Sequence, residues 1–317
     1  MSIITVAFLV GVSGCAAAEG DDSESSGLCD GPSASSTIDD SASRAIAFTS
    51  DRSGSFDLWL MAADGSDAVQ LTSDPDLEGM PSWSPDGTRL AFMSAADLES
   101  RGDICVINAD GTGLVNLTDT AGVSETTPSW SPAGDEIAYG IWIGDVHQIH
   151  VMASDGGESR MVASNGNWPS WSPDGERIVF SKSRGASDQS LWTMKADGTD
   201  QSVLADGERE LSEPAWSPNG KSIAYVSSTG DSDASDPVKW GEDIFVLAAD
   251  GGRGRRLTTL PGNDHWPPAW SPDSGQLAFT ADGEDNVGEI IVVDMTTHAT
   301  ANLTNSEAHD AFPAWRR

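Results

Sequence analysis

The sequence predicts an all-β protein, a six-bladed β-propeller with four antiparallel strands in each blade. A Pro-Ser/Ala-Trp phrase recurs six times, each repeat contains short strand-like runs, and the two chain ends supply complementary parts of one repeat. Successive tryptophans of the phrase lie 41 to 54 residues apart, and a four-stranded blade needs about 40 to 45 residues. The phrase ends at Trp83, Trp130, Trp171, Trp216, Trp270 and Trp315.

The repeat that begins with Trp83 shows how each blade is built. Ser84-Pro85-Asp86-Gly87 predicts a turn, because proline presets its own φ and glycine accepts positive φ. Alternation in Leu90-Ala91-Phe92 predicts the second strand. Asp103–Ile107 predicts the third strand, and Asp110-Gly111 is typical of the hairpin that follows it. A fourth run ends in Leu-Thr, and no stretch of the chain shows sustained helical periodicity.

The two ends of residues 44–317 complete each other. Ile46-Ala47-Phe48, Asp57–Met61 and Leu71-Thr72 match the second, third and fourth strands of a blade, but nothing before them matches the first. Pro313-Ala314-Trp315 matches that missing first strand. We therefore expect pairing of the N- and C-terminal strands to close the ring, which also removes two open sheet edges.

The first fifteen residues have the pattern of an export and anchoring signal. The apolar run Ile3–Val12 is too short to span a bilayer. It leads into Val12-Ser13-Gly14-Cys15, which resembles a bacterial lipobox and implies a lipid anchor on Cys15. The implied location is the bacterial cell envelope, lipid-anchored and facing the periplasm or the surface. No lysine or arginine precedes the run, although signal peptides carry basic residues there. Two questions stay open. One is whether Met1 is the true start, and the other is whether the run is only a frayed apolar N-terminus with a chance cysteine.

Residues 16–43 are rich in serine, alanine, glycine and aspartate, with seven acids and no base. Such a segment cannot bury enough apolar surface to offset its ordering entropy. We expect an acidic, disordered tether between residues 1–15 and the propeller of residues 44–317.

The net charge of the chain limits its possible partners. The chain has 17 basic and 50 acidic residues, a net charge of −33, so nucleic acid is an unfavourable partner. We expect a monomer that contacts the membrane only through its lipid.

The three cysteines make no disulfide framework. Cys105 lies in an apolar run that predicts a small buried side chain, and a Cys29–Cys105 bridge is an alternative that the spacing does not favour.

Taken together, the repeated phrases resemble a known family. Pro-x-Trp-Ser-Pro-Asp-Gly, Ile-Ala-Phe, Asp-Ile-x-x-Met, Ala-Asp-Gly and Leu-Thr are similar to the repeat of TolB-like propellers. The resemblance implies a TolB-like propeller lipoprotein that presents its loops to another cell-envelope protein. Three turns depart from the pattern: Ala133 replaces aspartate, Ser274 replaces glycine, and no Asp-Gly follows Val293.

Function in propellers resides on loops at one end of the channel. Three residues before the prolines of the repeated phrase stand Glu78, Glu125, Gly166, Leu211, His265 and Asp310, with His309 beside the last. We expect Glu78, Glu125, His265 and Asp310 to form a metal or cationic-ligand site at the channel mouth. Oxygen ligands with one or two imidazoles suit Ca²⁺ or Mn²⁺. The alternative is a set of acids that only solvates the mouth.

The tryptophans divide into two groups. Those of the repeated phrase are expected to pack between blades, whereas Trp168 and Trp266 are not repeated and are candidates to line the channel mouth. No Gly-x-Ser-x-Gly elbow or other catalytic constellation is present in the sequence, so we expect no enzyme and no catalytic residue. The alternatives are a metal-dependent polysaccharide lyase, which would need His265 and His309, and a propeller that binds a sugar or a peptide.

Overall fold

A computed structural model describes residues 44–97, 100–120, 122–144, 146–183, 189–207, 210–228, 241–259, 266–282 and 287–317. The proposed lipid anchor Cys15, the tether and His265 lie outside these residues. Across the described ranges every regular element is a β-strand. None of the described residues belongs to a helix that could cross a membrane.

The 24 strands form six four-stranded antiparallel sheets, which confirms the predicted class. Each sheet is one blade, and its first strand is innermost. Blade 1 contains β1 (Arg44–Ser50), β2 (Asp57–Ala62), β3 (Val69–Gln70) and the C-terminal β24 (Asp310–Trp315). Blade 2 contains β4 (Leu77–Trp83), β5 (Arg89–Ala95), β6 (Asp103–Asn108) and β7 (Val115–Asn116). Blade 3 contains β8 (Ser124–Trp130), β9 (Glu136–Ile143), β10 (Val146–Ala153) and β11 (Arg160–Ser164). Blade 4 contains β12 (Gly166–Trp171), β13 (Arg177–Ser183), β14 (Gln189–Lys195) and β15 (Ser202–Ala205). Blade 5 contains β16 (Leu211–Trp216), β17 (Ser222–Ser228), β18 (Glu242–Ala248) and β19 (Arg255–Arg256). Blade 6 contains β20 (Ala269–Trp270), β21 (Gln276–Asp282), β22 (Gly288–Asp294) and β23 (Thr300–Asn302).

The ring closes as the chain ends predict. In blade 1 the C-terminal β24 pairs with β1, with Ile46 opposite Trp315 and Ser50 opposite Asp310. The order of this sheet is β24-β1-β2-β3, so the last strand of the chain is the innermost strand of the first blade.

The repeated tryptophans join neighbouring blades. Indole N–H groups donate to the backbone carbonyl of the residue before the tryptophan in the preceding blade: Trp83 to Ala314 at 3.1 Å, Trp171 to Ser129 at 3.2 Å and Trp270 to Ala215 at 3.0 Å. Trp83, Trp130 and Trp171 are buried in clusters that combine residues of adjacent blades. The predicted role of these side chains in blade packing is confirmed.

The variant turns keep the geometry of the repeat. In the standard turn, Ser84 Oγ donates to Asp86 and Gly87 has a φ of 68°. Where Ala133 replaces the aspartate, Ser131 Oγ donates instead to Asp135 at 2.9 Å. Ser274 adopts the left-handed φ of 59° that glycine has elsewhere. The departures are therefore local, as the sequence indicates.

The Leu-Thr phrase also has a structural role. In four blades the threonine hydroxyl accepts the N–H of a residue in the third strand, at 2.9–3.0 Å. The four hydroxyls belong to Thr72, Thr118, Thr258 and Thr304. This bond holds the chain close to the blade after its short fourth strand ends.

Candidate functional site

The innermost strands have an irregularity immediately before the proline of the repeated phrase. In blade 2 the pairing register shifts between Gly79 and Ser82, so that two residues oppose one on β5. Equivalent shifts occur in blades 1, 3, 4 and 5. The residue before the proline has a φ of 52–58° in each, a region that non-glycine residues seldom adopt. These residues are Met80, Thr127, Trp168, Glu213 and Phe312.

Some of these side chains fill the middle of the channel. Met80, Met93, Trp266, Ala311 and Phe312 form one buried cluster, and Trp168 packs against it. The rings of Trp266 and Phe312 are 4.5 Å apart between centroids. The cluster combines side chains of blades 1, 2, 4 and 6, which can meet only near the axis of the ring. We call this cluster the channel plug.

The plug changes the interpretation of the two candidate mouth tryptophans. Trp266 is only 2% exposed and lies inside the plug, so the expectation that it lines an open mouth is wrong. Trp168 is partly buried against the plug. Both side chains are therefore parts of the structure that closes the channel.

Beyond the plug, on the side of the Ser-Pro-Asp-Gly turns, lies a cavity of about 180 Å³. The repeated Pro-x-Trp phrases of all six blades line it, together with Arg317. Arg317 is exposed overall, and desolvation of its guanidinium beside the cavity lowers its pKa. The rest of the wall consists of proline, serine, alanine and indole groups with Met80, Thr127 and Phe312, and Arg317 is the one titratable group among its described residues.

The three predicted acids in the described residues are buried rather than exposed at a mouth. Glu78, Glu125 and Asp310 are 1%, 0% and 0% exposed. Each has its own separate set of neighbours. Among the described residues no group of three or more His, Cys, Asp or Glu side chains is arranged to hold a metal ion. A site that also uses His265 remains a proposal, because His265 is outside the described residues.

Glu78 lies between blades 1 and 2. Thr72, after the last strand of blade 1, donates its hydroxyl to Glu78 Oε2. Burial raises the pKa of Glu78 well above its usual range, and the nearby carboxyls of Asp74 and Asp57 raise it further. Asp57 itself accepts Gln70 Nε2 at 3.0 Å, and burial raises its pKa too. Glu78 therefore binds its proton more tightly than an exposed glutamate and belongs to the packing of the two blades.

Glu125 has the equivalent place between blades 2 and 3. Burial, with the carboxyl of Asp103 nearby, raises the pKa of Glu125 to about 8. Asp103 accepts Asn116 Nδ2 at 2.8 Å. Two successive blade contacts therefore each contain a buried glutamic acid, whose pKa is raised, beside an aspartate.

Asp310 and His309 belong to the seam where the chain ends meet. Arg52 Nη2 donates to both carboxylate oxygens of Asp310 at 2.7 Å. His309 donates its backbone N–H to Asp51 at 2.8 Å, and its Nδ1 accepts the N–H of Gly288 at 2.9 Å. Its ring lies edge-on to Phe56. In this arrangement His309 has a structural role, and its Nδ1 lone pair is already engaged.

The sequence analysis, which used the spacing from the repeated proline, missed one buried acid. Glu213 directly precedes the proline of blade 5 and is 7% exposed. Burial raises its pKa well above the usual range, and the neighbouring Glu242 and Glu210 raise it further. Its Oε2 has no hydrogen-bond partner among the described residues. Position immediately before the repeated proline is the sequence signal that could have identified it.

Cys105 is buried, as predicted, but it also forms a disulfide. The sequence contains two other cysteines, Cys15 and Cys29, and both lie outside the described residues. Sequence spacing alone did not favour this bond.

Six four-stranded blades around a plugged axis define the molecule as a six-bladed β-propeller. The family model described as the TolB beta propeller domain matches residues 70–239 and 190–317. The chain belongs to the TolB β-propeller family.

Individual relatives cover parts of the chain. It is 34% identical over 121 residues to the Protein TolB homolog of Chlorobium luteolum, which spans 38% of this chain and 26% of that protein. TolB from Acinetobacter baumannii superposes with a TM-score of 0.71 and 19% identity, over 86% of this chain and 66% of that one. The chain therefore spans less than two thirds of the length of these two TolB proteins.

An enzyme shares the architecture, with a lower TM-score and lower sequence identity. An oligogalacturonate lyase in complex with manganese superposes with a TM-score of 0.58 and 15% identity, over 82% of this chain and 74% of that one. At these identities the structural matches show the fold alone.

Proposed function

We propose that this chain is a non-catalytic propeller of the bacterial cell envelope that binds another envelope protein and is held to a membrane by a lipid on Cys15. The main support for the proposal is that, within the TolB-family fold, the candidate site residues of the described ranges hold the blades together. Glu78, Glu125, Asp310 and His309 all contribute to blade packing or to the seam. A plugged channel leaves the loop faces as the surface for recognition.

An envelope location has independent support from Cys105. Structural disulfides form and persist in oxidising compartments and are rare in the cytosol. Cys105 is disulfide-bonded. A lipid on the Cys15 thiol would leave Cys29 as the partner of Cys105, since the chain has three cysteines.

A polysaccharide lyase is the second candidate, because a lyase with manganese shares the fold. It would need His265 and His309 at a metal with the mouth acids. His309 Nδ1 already accepts the Gly288 N–H, and Asp310 is paired with Arg52. A lyase function would therefore require a Ca²⁺ or Mn²⁺ site centred on His265.

The test compares the full chain with its Cys15→Ser variant, both produced in a bacterial host and purified from membranes. We expect a lipid mass on the wild-type N-terminal peptide and one co-purifying envelope protein, recovered equally by the His309→Ala variant. Polygalacturonate incubated with the wild type and Mn²⁺ should give no unsaturated sugars. Unsaturated products that disappear in the His309→Ala variant would support the lyase instead.

A further inference from the structure

Each of the six blades has an outer hairpin that runs from the end of the third strand into the fourth, and each hairpin is taken as nine residues. They are residues 62–70, 108–116, 153–161, 195–203, 248–256 and 294–302. With histidine neutral, their net charges in blade order are −2, −1, −1, −1, +2 and −1. Blade 5 alone is positive, because three arginines oppose one aspartate in it. This contrast is internal to the molecule, since the six hairpins have the same length and the same place in their blades.

The arginines of the blade 5 hairpin are only partly neutralised. Arg256 forms an ion pair with Asp243 at 2.5 Å. Arg255 donates to His298 Nε2 at 3.2 Å, and a ring nitrogen that accepts this bond carries no proton there. Neither Arg255 nor the exposed Arg253 forms an ion pair with a carboxylate of the described residues. Lys221 is exposed beside the same hairpin, where its carbonyl accepts the N–H of Ala249.

The hairpin lies on the face from which the tether leaves the propeller. The first strand β1 begins at Arg44, which pairs with Ala62, and Ala62 begins the outer hairpin of blade 1. The chain therefore enters the ring on the face that carries all six outer hairpins. A flexible coil of 28 residues, as the composition predicts for residues 16–43, would have an average reach of about 30 Å. A bilayer that holds the lipid would thus always be near this face.

We propose that the blade 5 hairpin, through Arg253 and Arg255, contacts the anionic phospholipid headgroups of the membrane and orients the tethered propeller. The inference rests on the proposed membrane tether, and it replaces the expectation that the protein contacts the membrane only through its lipid. The guanidinium fork matches phosphate geometry, and Arg253 and Arg255 are both exposed, as contact with a membrane surface requires. The other hairpins carry net negative charge, so the propeller tilts with blade 5 toward the bilayer. Acids more than about 10 Å from the contact are screened at physiological salt.

The test supplies the tether independently of native lipidation. The full-length Cys15→Ser chain with an N-terminal hexahistidine tag is bound to vesicles that contain a nickel-chelating lipid, in phosphatidylcholine with or without 30% phosphatidylglycerol. A dansyl amino acid is placed at Ala248 in blade 5 or at Ala62, its counterpart in blade 1. Quenching by headgroup nitroxide lipid reports proximity to the bilayer.

We expect stronger quenching at position 248 than at 62 on phosphatidylglycerol vesicles and equal quenching on phosphatidylcholine alone. Each basic residue at an anionic surface favours contact about fivefold, so the Arg253→Gln/Arg255→Gln variant should lose most of the difference. The Arg160→Gln/Arg177→Gln variant has the same charge change but alters arginines paired with Glu136 and Asp200, and should retain it. Equal quenching on both vesicles, or equal loss in both variants, contradicts the inference. A missing lipid mass on native protein contradicts the proposed anchor and leaves this result standing.

Discussion

Arg52 and Asp310, 258 residues apart in the chain, form a bidentate ion pair across the seam between β1 and β24. The Asp310 side chain is fully buried and that of Arg52 is 24% exposed. The guanidinium also lies over the rings of Phe48 and Trp59, at 5.2 and 4.9 Å from their centroids. Ser306 donates a further bond to Asp310. The ring is thus closed by a buried polar contact as well as by backbone pairing.

Loss of this ion pair should weaken closure. The Asp310→Ala substitution leaves the Arg52 guanidinium without its carboxylate, so we expect the free energy of unfolding to fall by about 2–3 kcal/mol. The measurement is urea denaturation followed by tryptophan fluorescence. Glu136→Ala is the matched control, because it breaks an exposed ion pair with Arg160 that should contribute less than about 1 kcal/mol. Similar losses in both variants would show that the seam pair has no special role.

The indole bonds between blades can be tested by Trp→Phe substitutions, which remove the indole N–H together with part of the ring. Trp83→Phe removes the N–H that donates to the Ala314 carbonyl and should cost about 1–2 kcal/mol, mainly because that bond is lost. Trp130→Phe removes a buried N–H with no partner among the described residues and should cost less. Thermal unfolding of the two variants gives the comparison. The idea fails if Trp130→Phe is the more damaging change.

Stability should decrease as pH rises from about 5 to 8. The folded pKa of Glu125 is about 8 against an ordinary value of 4.5, so within this window the folded state binds more protons than the unfolded state, and stability falls with rising pH. Glu78 and Glu213 act in the same direction. The Glu125→Gln variant should show a flatter profile in urea denaturation at pH 5, 6.5 and 8.

Asp86 supplies the control for this pH dependence. Its turn hydrogen bonds lower its pKa to about 2, so its contribution is complete above the unfolded pKa of about 4 and is lost only at lower pH. Asp86→Asn should therefore shift stability equally at pH 5 and pH 8. A Glu125→Gln profile as steep as that of the wild type would contradict the assignment.

The partner of Cys105 can be identified by peptide mapping without reduction. We expect a Cys29–Cys105 crosslink, present in the Cys15→Ser variant and absent from Cys29→Ser. Removal of this bond should lower the free energy of unfolding by about 2–4 kcal/mol, because it closes a long loop in the unfolded chain. A Cys15–Cys105 crosslink in native protein would contradict both this pairing and lipidation of Cys15.

The fold could be predicted because its signals are local and repeated. Each Pro-x-Trp phrase and Asp-Gly hairpin specifies its own blade, and Trp315 could be matched to the strand missing beside Phe48 from the pattern alone. The candidate site could not be predicted in the same way. The sequence analysis counted three residues back from the proline. It did not allow for the extra residue that the register shift inserts, for example between Gly79 and Ser82. One added residue moves a strand side chain to the other face, so Glu78 lies between blades instead of at the mouth.

The three indole bonds recur at every second blade contact, from Trp83, Trp171 and Trp270. They couple blade 1 to 2, blade 3 to 4 and blade 5 to 6. At the other three contacts a backbone N–H instead donates to a hydroxyl of the preceding blade, from Trp130 to Ser82, from Trp216 to Ser170 and from Phe312 to Thr280, at 3.4, 3.0 and 3.1 Å. Two kinds of contact therefore alternate around the ring, and every blade is hydrogen-bonded to both of its neighbours. The native ring should open as a whole, with no single preferred joint.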